Sequence, residues 1–196
     1  DNLLINTDSL VENVHFNDIT ICPQDLGWKA VVSNISDLLS SGSKETIGIT
    51  ISLVLPTRTK WSWVEELYKG INEALKEYGG IILGGDCSKG NEKIISITAF
   101  GIQGDLELRR NACKPGEIIL TTGIHGLSKL GFLIKNKIYL DNDISLNKRL
   151  ISKSIEHFCR PKVYPNFLKN LIKTRSNKKI KRIGCTDSSD GLFQAL

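Results

Sequence analysis

The chain has 196 residues, 40% hydrophobic and 24% charged, which is enough to bury the core of one domain or two small ones and excludes a disordered tail. No apolar run approaches the roughly 20 residues that span a bilayer, and the opening DNLLINTDSL lacks the basic start and apolar stretch of a secretion signal. The net charge of +5 comes from one run, Lys169 to Arg182, with seven basic residues and no acid; it reads as a solvated face, so neither nucleic acid nor a membrane is expected as a partner.

Methionine is absent, the chain opens on a strand-like LLIN and it closes on what reads as a helix just starting, so the sequence reads as a piece of a longer protein. Residues 3–7 predict a strand ending at Thr7-Asp8. Residues 25–41 predict an amphipathic helix, with Trp28, Val31, Val32, Ile35, Leu38 and Leu39 on one stripe, Asp37 off it, and Gly42 as a stop. TIGITISLVL (46–55) is a β-branched strand closed by Pro56. A second amphipathic helix spans 61–78 and ends at Gly79-Gly80. Two strands follow, in 80–86 and 93–102, and RRNACKPG (109–116) marks a domain boundary. Beyond it, EIILTTG (117–123) predicts a buried strand followed by a helix. Residues 145–158 and 163–174 predict helices, and 180–185 a strand leading into TDSSDGL. Strands alternating with helices give an α/β or α+β class.

Several chemistries are excluded. There is no GxxxxGK[ST] loop, no GxGxxG after a strand and no GxSxG elbow. His15, His125 and His157 share no metal-ligand spacing. Cys22, Cys87, Cys113, Cys159 and Cys185 form no CxxC; they read as reduced thiols of a cytoplasmic protein.

What remains is a series of aspartates. Apolar strands run into Asp8, Asp86 and the Asp187-to-Asp190 segment, and Asp37 stands apart from its helix's apolar stripe. Ligands gather at strand ends in α/β folds, Mg²⁺ takes a few carboxylates plus phosphate oxygens, and Gly84-Gly85 lets a phosphate approach backbone. Together these suggest a Mg-nucleotide site built from acids. One at a time, each has a plainer reading: a turn after a strand, a solvated helix acid, or an N-cap.

TDSLVENVHF (7–16), WKAVVSNISDLLSSG (28–42), GGIILGGDCSKG (79–90), LRRNACKPGEIILTTG (108–123) and TDSSDGL (186–192), in that order, resemble the thiamine-monophosphate kinases of the aminoimidazole-ribonucleotide synthetase-like superfamily. The resemblance implies transfer of the γ-phosphoryl group of ATP to thiamine monophosphate, giving thiamine diphosphate. It implies an α+β N-terminal domain (1–110) with a mixed sheet that pairs into a dimeric barrel, and a partial second α/β domain (111–196). Matched residue by residue, Thr7, Asp8, Asp37, Asp86, Asp187 and Asp190 become Mg²⁺ ligands. Gly85, Asp86, Arg110 and Ser189 become ATP contacts, His15 a contact to the thiamine substrate, and Asp86, Asp187 and Arg110 the catalytic set.

Two positions depart from the family pattern. A second hydroxyl ligand before Thr7 is Asn6 here, and a glycine ahead of Val-His-Phe is Asn13, a change that left-handed backbone would accommodate. Of the family pattern, an Asp-rich segment ahead of this region and the later part of the second domain are also missing here. The expectation is therefore a chain that keeps much of the Mg-ATP site and little thiamine specificity. The alternatives are another ATP-using enzyme of the superfamily, or an inactive dimerising fragment.

The chemistry agrees with such a site. A phosphate acceptor is largely ionised near neutral pH, since its second pKa is about 6, so no general base is needed. Two such groups at ~4 Å repel by on the order of 10 kcal/mol or more at an effective dielectric near 20, whereas a general base supplies only about 10²–10⁴-fold.

Overall fold

The structure, a computed structural model, describes residues 2–138, 146–167, 170, 173 and 183–196. Its centre is a mixed four-stranded sheet in the order β1-β4-β2-β3, formed by β1 (Leu3–Val11), β2 (Ser43–Leu55), β3 (Ile81–Lys89) and β4 (Ile94–Gln103). β4 runs antiparallel to β1 and β2, while β2 and β3 are parallel and joined through a helix. The fold class is thus as expected from the alternation of elements.

α1 (Pro23–Ser40) lies against one face of the sheet and α2 (Trp61–Tyr78) against α1. The core forms where period-2 and period-3.6 patterns meet: Ile49, Ile51, Leu53, Ile95 and Ile97 from the strands, Val31, Ile35 and Leu38 from α1, Leu67 and Ile71 from α2, all at most 2% exposed. The two helices approach through paired glycines. A Cβ on Gly27 would lie 2.1 Å from the Leu67 carbonyl oxygen, and one on Gly70 would lie 1.7 Å from that of Gln24.

The other face of the sheet carries no helix among the described residues. Hydroxyl rows cross it: Thr7 and Thr98 are 2.8 Å apart, and Ser9 donates to Ser96 at 2.8 Å. Leu3, Ile5, Ile81 and Leu83 are exposed toward one end of the sheet.

Two expectations need correction. Asp8 and Asp86 do not end their strands: β1 continues to Val11, paired with Ile94, and β3 to Lys89, paired with Leu55. The polar Thr, Asp and Ser residues read as turn formers but belong to the ladder. Residues 117–123 form no strand, and Ile118, Ile119 and Leu120 are 67–89% exposed. The apolar run is there, but among the described residues no strand pairs with it, and an isolated strand cannot satisfy its backbone.

After a turn of 3-10 helix at Arg110–Ala112, α3 (Leu127–Lys135) and α4 (Lys148–Cys159) pack on each other with Phe132 edge-on to Phe158, centroids 5.7 Å apart. α4 starts after the expected position because Asn147 caps it, accepting the Leu150 N–H at 2.8 Å. Phe158 and Cys159 join the main core. The chain beyond α4 is tied to the first two helices: Trp28 Nε1 donates to the Pro161 carbonyl at 2.7 Å, and Arg160 bridges Asp25 (3.3 Å) and Glu73 (2.6 Å). Of the helix expected over 163–174, residues 165–167, 170 and 173 are helical, 163 and 164 are not, and the rest lie outside the described residues. Residues 180–182 of the expected strand also lie outside them, as does the basic run apart from Asn170 and Lys173. Gly184 makes one parallel bridge to Arg109. A short helix closes the chain at Leu192–Ala195. Among the described residues no helix is long and apolar enough to cross a membrane.

Candidate active site

A polar cleft of about 290 Å³ opens where the end of α1 meets β1 and the segments around Leu108 and Cys185; Asn6, Asp37, Ser40, Ser41 and Arg110 also line it. Asp37 occupies the last turn of α1, which contains no basic residue. A helix C-terminus carries partial negative charge, so an acid there works against the local field.

Burial raises the Asp37 carboxyl to about 6, helped by the charges of Asp187 and Asp8 and opposed by Arg110 and by a hydrogen bond from Asn6. The three carboxylates therefore share one electrostatic neighbourhood, and the positive charge in it falls short of what they need. Arg110 reaches Asp187 at only 3.4 Å and is 76% exposed, whereas the Asp187 side chain is 6% exposed. So long a contact, with the guanidinium in solvent, holds Arg110 only loosely. Asp187 Oδ2 also accepts the Ser189 backbone N–H at 3.3 Å, which ties Ser189 to the same turn. Asp190 is exposed beyond it.

Thr7, Gly85, Asp86 and His15 lie elsewhere, while Asp8 stands near Asp37. Thr7 points to the open face of the sheet, bonded to Thr98, while Asp8 Oδ1 accepts its neighbour's Ser9 N–H at 2.8 Å. Asp86 is exposed on β3, accepts from Ser88 Oγ at 2.9 Å, and pairs in register with Ser52. β3 and β1 are opposite edges of the sheet, about 14 Å apart by strand spacing, so Asp86 and Gly85 do not enter the Asp37 cleft within one chain. Gly85 has a local reason to be glycine: a Cβ there would lie 2.1 Å from the Ile51 carbonyl oxygen.

His15 stands at the far end of β1, in a bend that begins at Val11, about 17 Å along the strand from Asn6. It is exposed, and Phe16 rather than His15 fills the core. Its Nδ1 accepts the Val11 backbone N–H at 3.0 Å, which assigns the proton to Nε2 and leaves a donor facing solvent. Asn13 has φ 64°, the left-handed conformation that its replacement of glycine requires. The bend is held by Lys93, whose Nζ lies 2.7 Å from Glu12 and 2.6 Å from Asp18. Burial would raise the Glu12 carboxyl, but the Lys93 ammonium and backbone N–H outweigh it and hold the group below its usual range. Nothing in the sequence singled out this clamp, since its members are 75 and 81 residues apart.

Among the described residues no three acid, His or Cys side chains converge closely enough to enclose a metal ion. Mg²⁺ does not need such a cage: it is usually held by one or two carboxylates, phosphate oxygens and water. Asp37, with Asp187 and Asp8 close enough to add to its rise, supplies oxygen donors of the right hardness in a field that Arg110 only partly offsets. The donor set fits a hard divalent cation.

The mixed β1-β4-β2-β3 sheet, with α1 on one face and α2 stacked on α1, defines the α/β class of protein. Residues 1–103 match the N-terminal domain of the AIR synthase related proteins, and the chain belongs to that family. Its relatives include the thiamine-monophosphate kinase of Prochlorococcus marinus, 44% identical over 194 residues, which cover 99% of this chain and 58% of that protein. The enzyme of the same name from Synechococcus elongatus is 33% identical over 195 residues, with the same two coverages. The chain thus spans less than two thirds of the length of these relatives. Among solved structures, thiamine monophosphate kinase from Aquifex aeolicus superposes with a TM-score of 0.76 at 28% identity, over 87% of this chain and 55% of that one. A structure of AaThiL complexed with AMPPCP and TMP gives the same score and identity over 86% and 52%. A hydrogenase maturation protein, at 0.60 and 21% identity over 80% and 51%, shares the fold alone.

Proposed function

We propose that this chain is the ATP- and magnesium-binding part of a kinase that phosphorylates thiamine monophosphate to thiamine diphosphate by direct in-line transfer, in thiamine diphosphate biosynthesis in the cytoplasm. The observation that carries the reading is the Asp37 carboxyl, raised to about 6 beside Asp187 and Asp8 in a cleft shared with Arg110. Crowded acids that the one nearby cation only partly offsets are what a site for a phosphate-bound divalent cation requires. The similarity to named thiamine-monophosphate kinases supports the substrate.

In this reading Asp37, Asp8 and Asp187 hold Mg²⁺, which screens the donor and acceptor phosphates from each other. Arg110 swings from its loose contact with Asp187 to a phosphate oxygen, a move its exposure permits. Ser189, at the turn that carries Asp187, contacts ATP. His15, about 17 Å along the strand from Asn6 within one chain, would contact thiamine monophosphate only from a second copy. No side chain removes a proton from the acceptor, because the acceptor is already ionised.

Asp86, Gly85 and Thr7 enter through a second copy. The open sheet face, with Leu3, Ile5, Ile81 and Leu83 exposed at one end, pairs with that of another chain. A two-fold pairing can set β3 of one copy beside β1 of its partner, bringing Asp86 toward the partner's cleft. Residues 1–110 form this dimerising domain, and 111–196 begin a second one.

The test is a panel of phosphate acceptors with Mg²⁺ and ATP. Thiamine monophosphate is expected to be the preferred acceptor, turned over far below an ordinary kinase rate by this chain. Equal use of all acceptors would favour another ATP-using member of the superfamily.

A further inference from the structure

Asn6 and Asn34 lie beside the Asp37 carboxylate, and the direction of the hydrogen bonds between them follows from one atom that can only accept. Asn34 is 1% exposed, and its Nδ2 lies 2.9 Å from the Ala30 carbonyl oxygen. A backbone carbonyl cannot donate, so the nitrogen end of Asn34 faces it. The oxygen end of Asn34 is left for Asn6, 3.0 Å away, and an oxygen there requires the nitrogen end of Asn6. The same Asn6 Nδ2 gives its second hydrogen to Asp37 Oδ2, also at 3.0 Å.

Asn6 Oδ1 is thereby turned away. It is buried and has no hydrogen-bond partner among the described residues, a state that leaves its desolvation uncompensated. Turning the amide over would oppose oxygen to oxygen at both Asn34 and Asp37 and lose two bonds. The relay also joins two elements, since Ala30, Asn34 and Asp37 belong to α1 and Asn6 to β1.

We propose that Asn6 is a positioning residue and not a cation ligand: locked by Asn34, it fixes the Asp37 carboxylate against the sheet. The inference rests on the reading of the cleft as a cation site. It separates this chain from a pattern in which a hydroxyl at this position binds the ion itself.

Two measurements test it, both on the full 196-residue chain. The first is Mn²⁺ binding in the presence of a non-hydrolysable ATP analogue, followed by the paramagnetic resonance of free Mn²⁺. Asn6→Asp keeps the shape and adds a ligand oxygen but removes both donor hydrogens. A positioning role predicts Mn²⁺ affinity lowered about tenfold or more; affinity equal to or above that of the unaltered chain would overturn it. The second needs neither metal nor variant. Hydrogen exchange by NMR is expected to show both Asn6 side-chain amide protons protected, and exchange at the rate of a free amide would overturn the relay. An unaltered chain that binds no Mn²⁺ would remove the cation reading itself, while the amide protection still reports on the relay.

Discussion

The middle of β1 and its Val11 end each gather carboxylates, and they treat the charge in opposite ways. At the Val11 end, Glu12 and Asp18 share Lys93, whose side chain is only 10% exposed and also lies 5.3 Å from the centre of the Trp63 ring. Beside Asn6, burial and then the charges of Asp187 and Asp8 raise the Asp37 carboxyl, with only the solvated Arg110 beside them among the described residues. The first group is answered within the protein and serves the fold. The second is left short of positive charge and is open to a cleft, which is where a ligand has something to supply. Carboxylates alone therefore say little; their balance with local cations says which group works as structure and which as site.

The largest effect is expected where the charge is answered. Lys93→Met strands a buried Glu12 and should cost about 3–5 kcal/mol in urea-induced unfolding. Added Mg²⁺ should not restore it. A loss below about 1 kcal/mol would mean that the clamp is ornamental and the contrast between the two groups false.

Next in size are the nucleotide effects. Asp37→Asn and Asp86→Asn should each weaken Mg-dependent binding of an ATP analogue about tenfold to a hundredfold, as expected for a removed charged contact. If Asp86 serves the partner's cleft, mixing the two variants restores tight binding at one of the two sites in each mixed pair. If both acids act within one chain, mixing restores none.

A smaller and opposite effect should appear in the metal-free chain. The folded Asp37 carboxyl titrates near 6 against an ordinary 3.8. The folded state thus keeps its proton longer than the unfolded state, so stability falls as pH rises from about 4 to about 6 and levels off above. Asp37→Asn should remove that fall and stabilise the metal-free chain at neutral pH by about 1–2 kcal/mol, a figure reduced for the half-exposed position. Destabilisation instead would place Asp37 with the structural acids. The smallest change belongs to the bend near His15: Asn13→Ala should cost roughly 1 kcal/mol for its left-handed backbone, and Asn13→Gly almost nothing.

Elements with strong periodicity were legible. α2 runs from Trp61 to Tyr78 as the apolar spacing and Gly79-Gly80 require, and α1 differs by two residues because Pro23 starts it. The strand ends were not, because Thr7, Asp8 and Asp86 are turn-formers by type and ladder members by pairing with strands far along the chain. Residues 117–123 show the reverse: their composition is that of a buried strand, but burial depends on neighbours that composition does not report. Within the site, Asp37 could be singled out by its place off the apolar stripe. Its raised pKa could not, since that depends on burial by the fold and then on Asp187 and Asp8 arriving from other elements. The Asn6–Asn34 relay links residues 28 apart on different elements and leaves no local trace.

The central claim is tested most directly by calorimetric titration of the unaltered chain with a non-hydrolysable ATP analogue, with and without Mg²⁺. The account predicts saturable binding that requires Mg²⁺ and is lost in Asp37→Asn. Binding of equal strength without the metal, or undiminished in that variant, would contradict it.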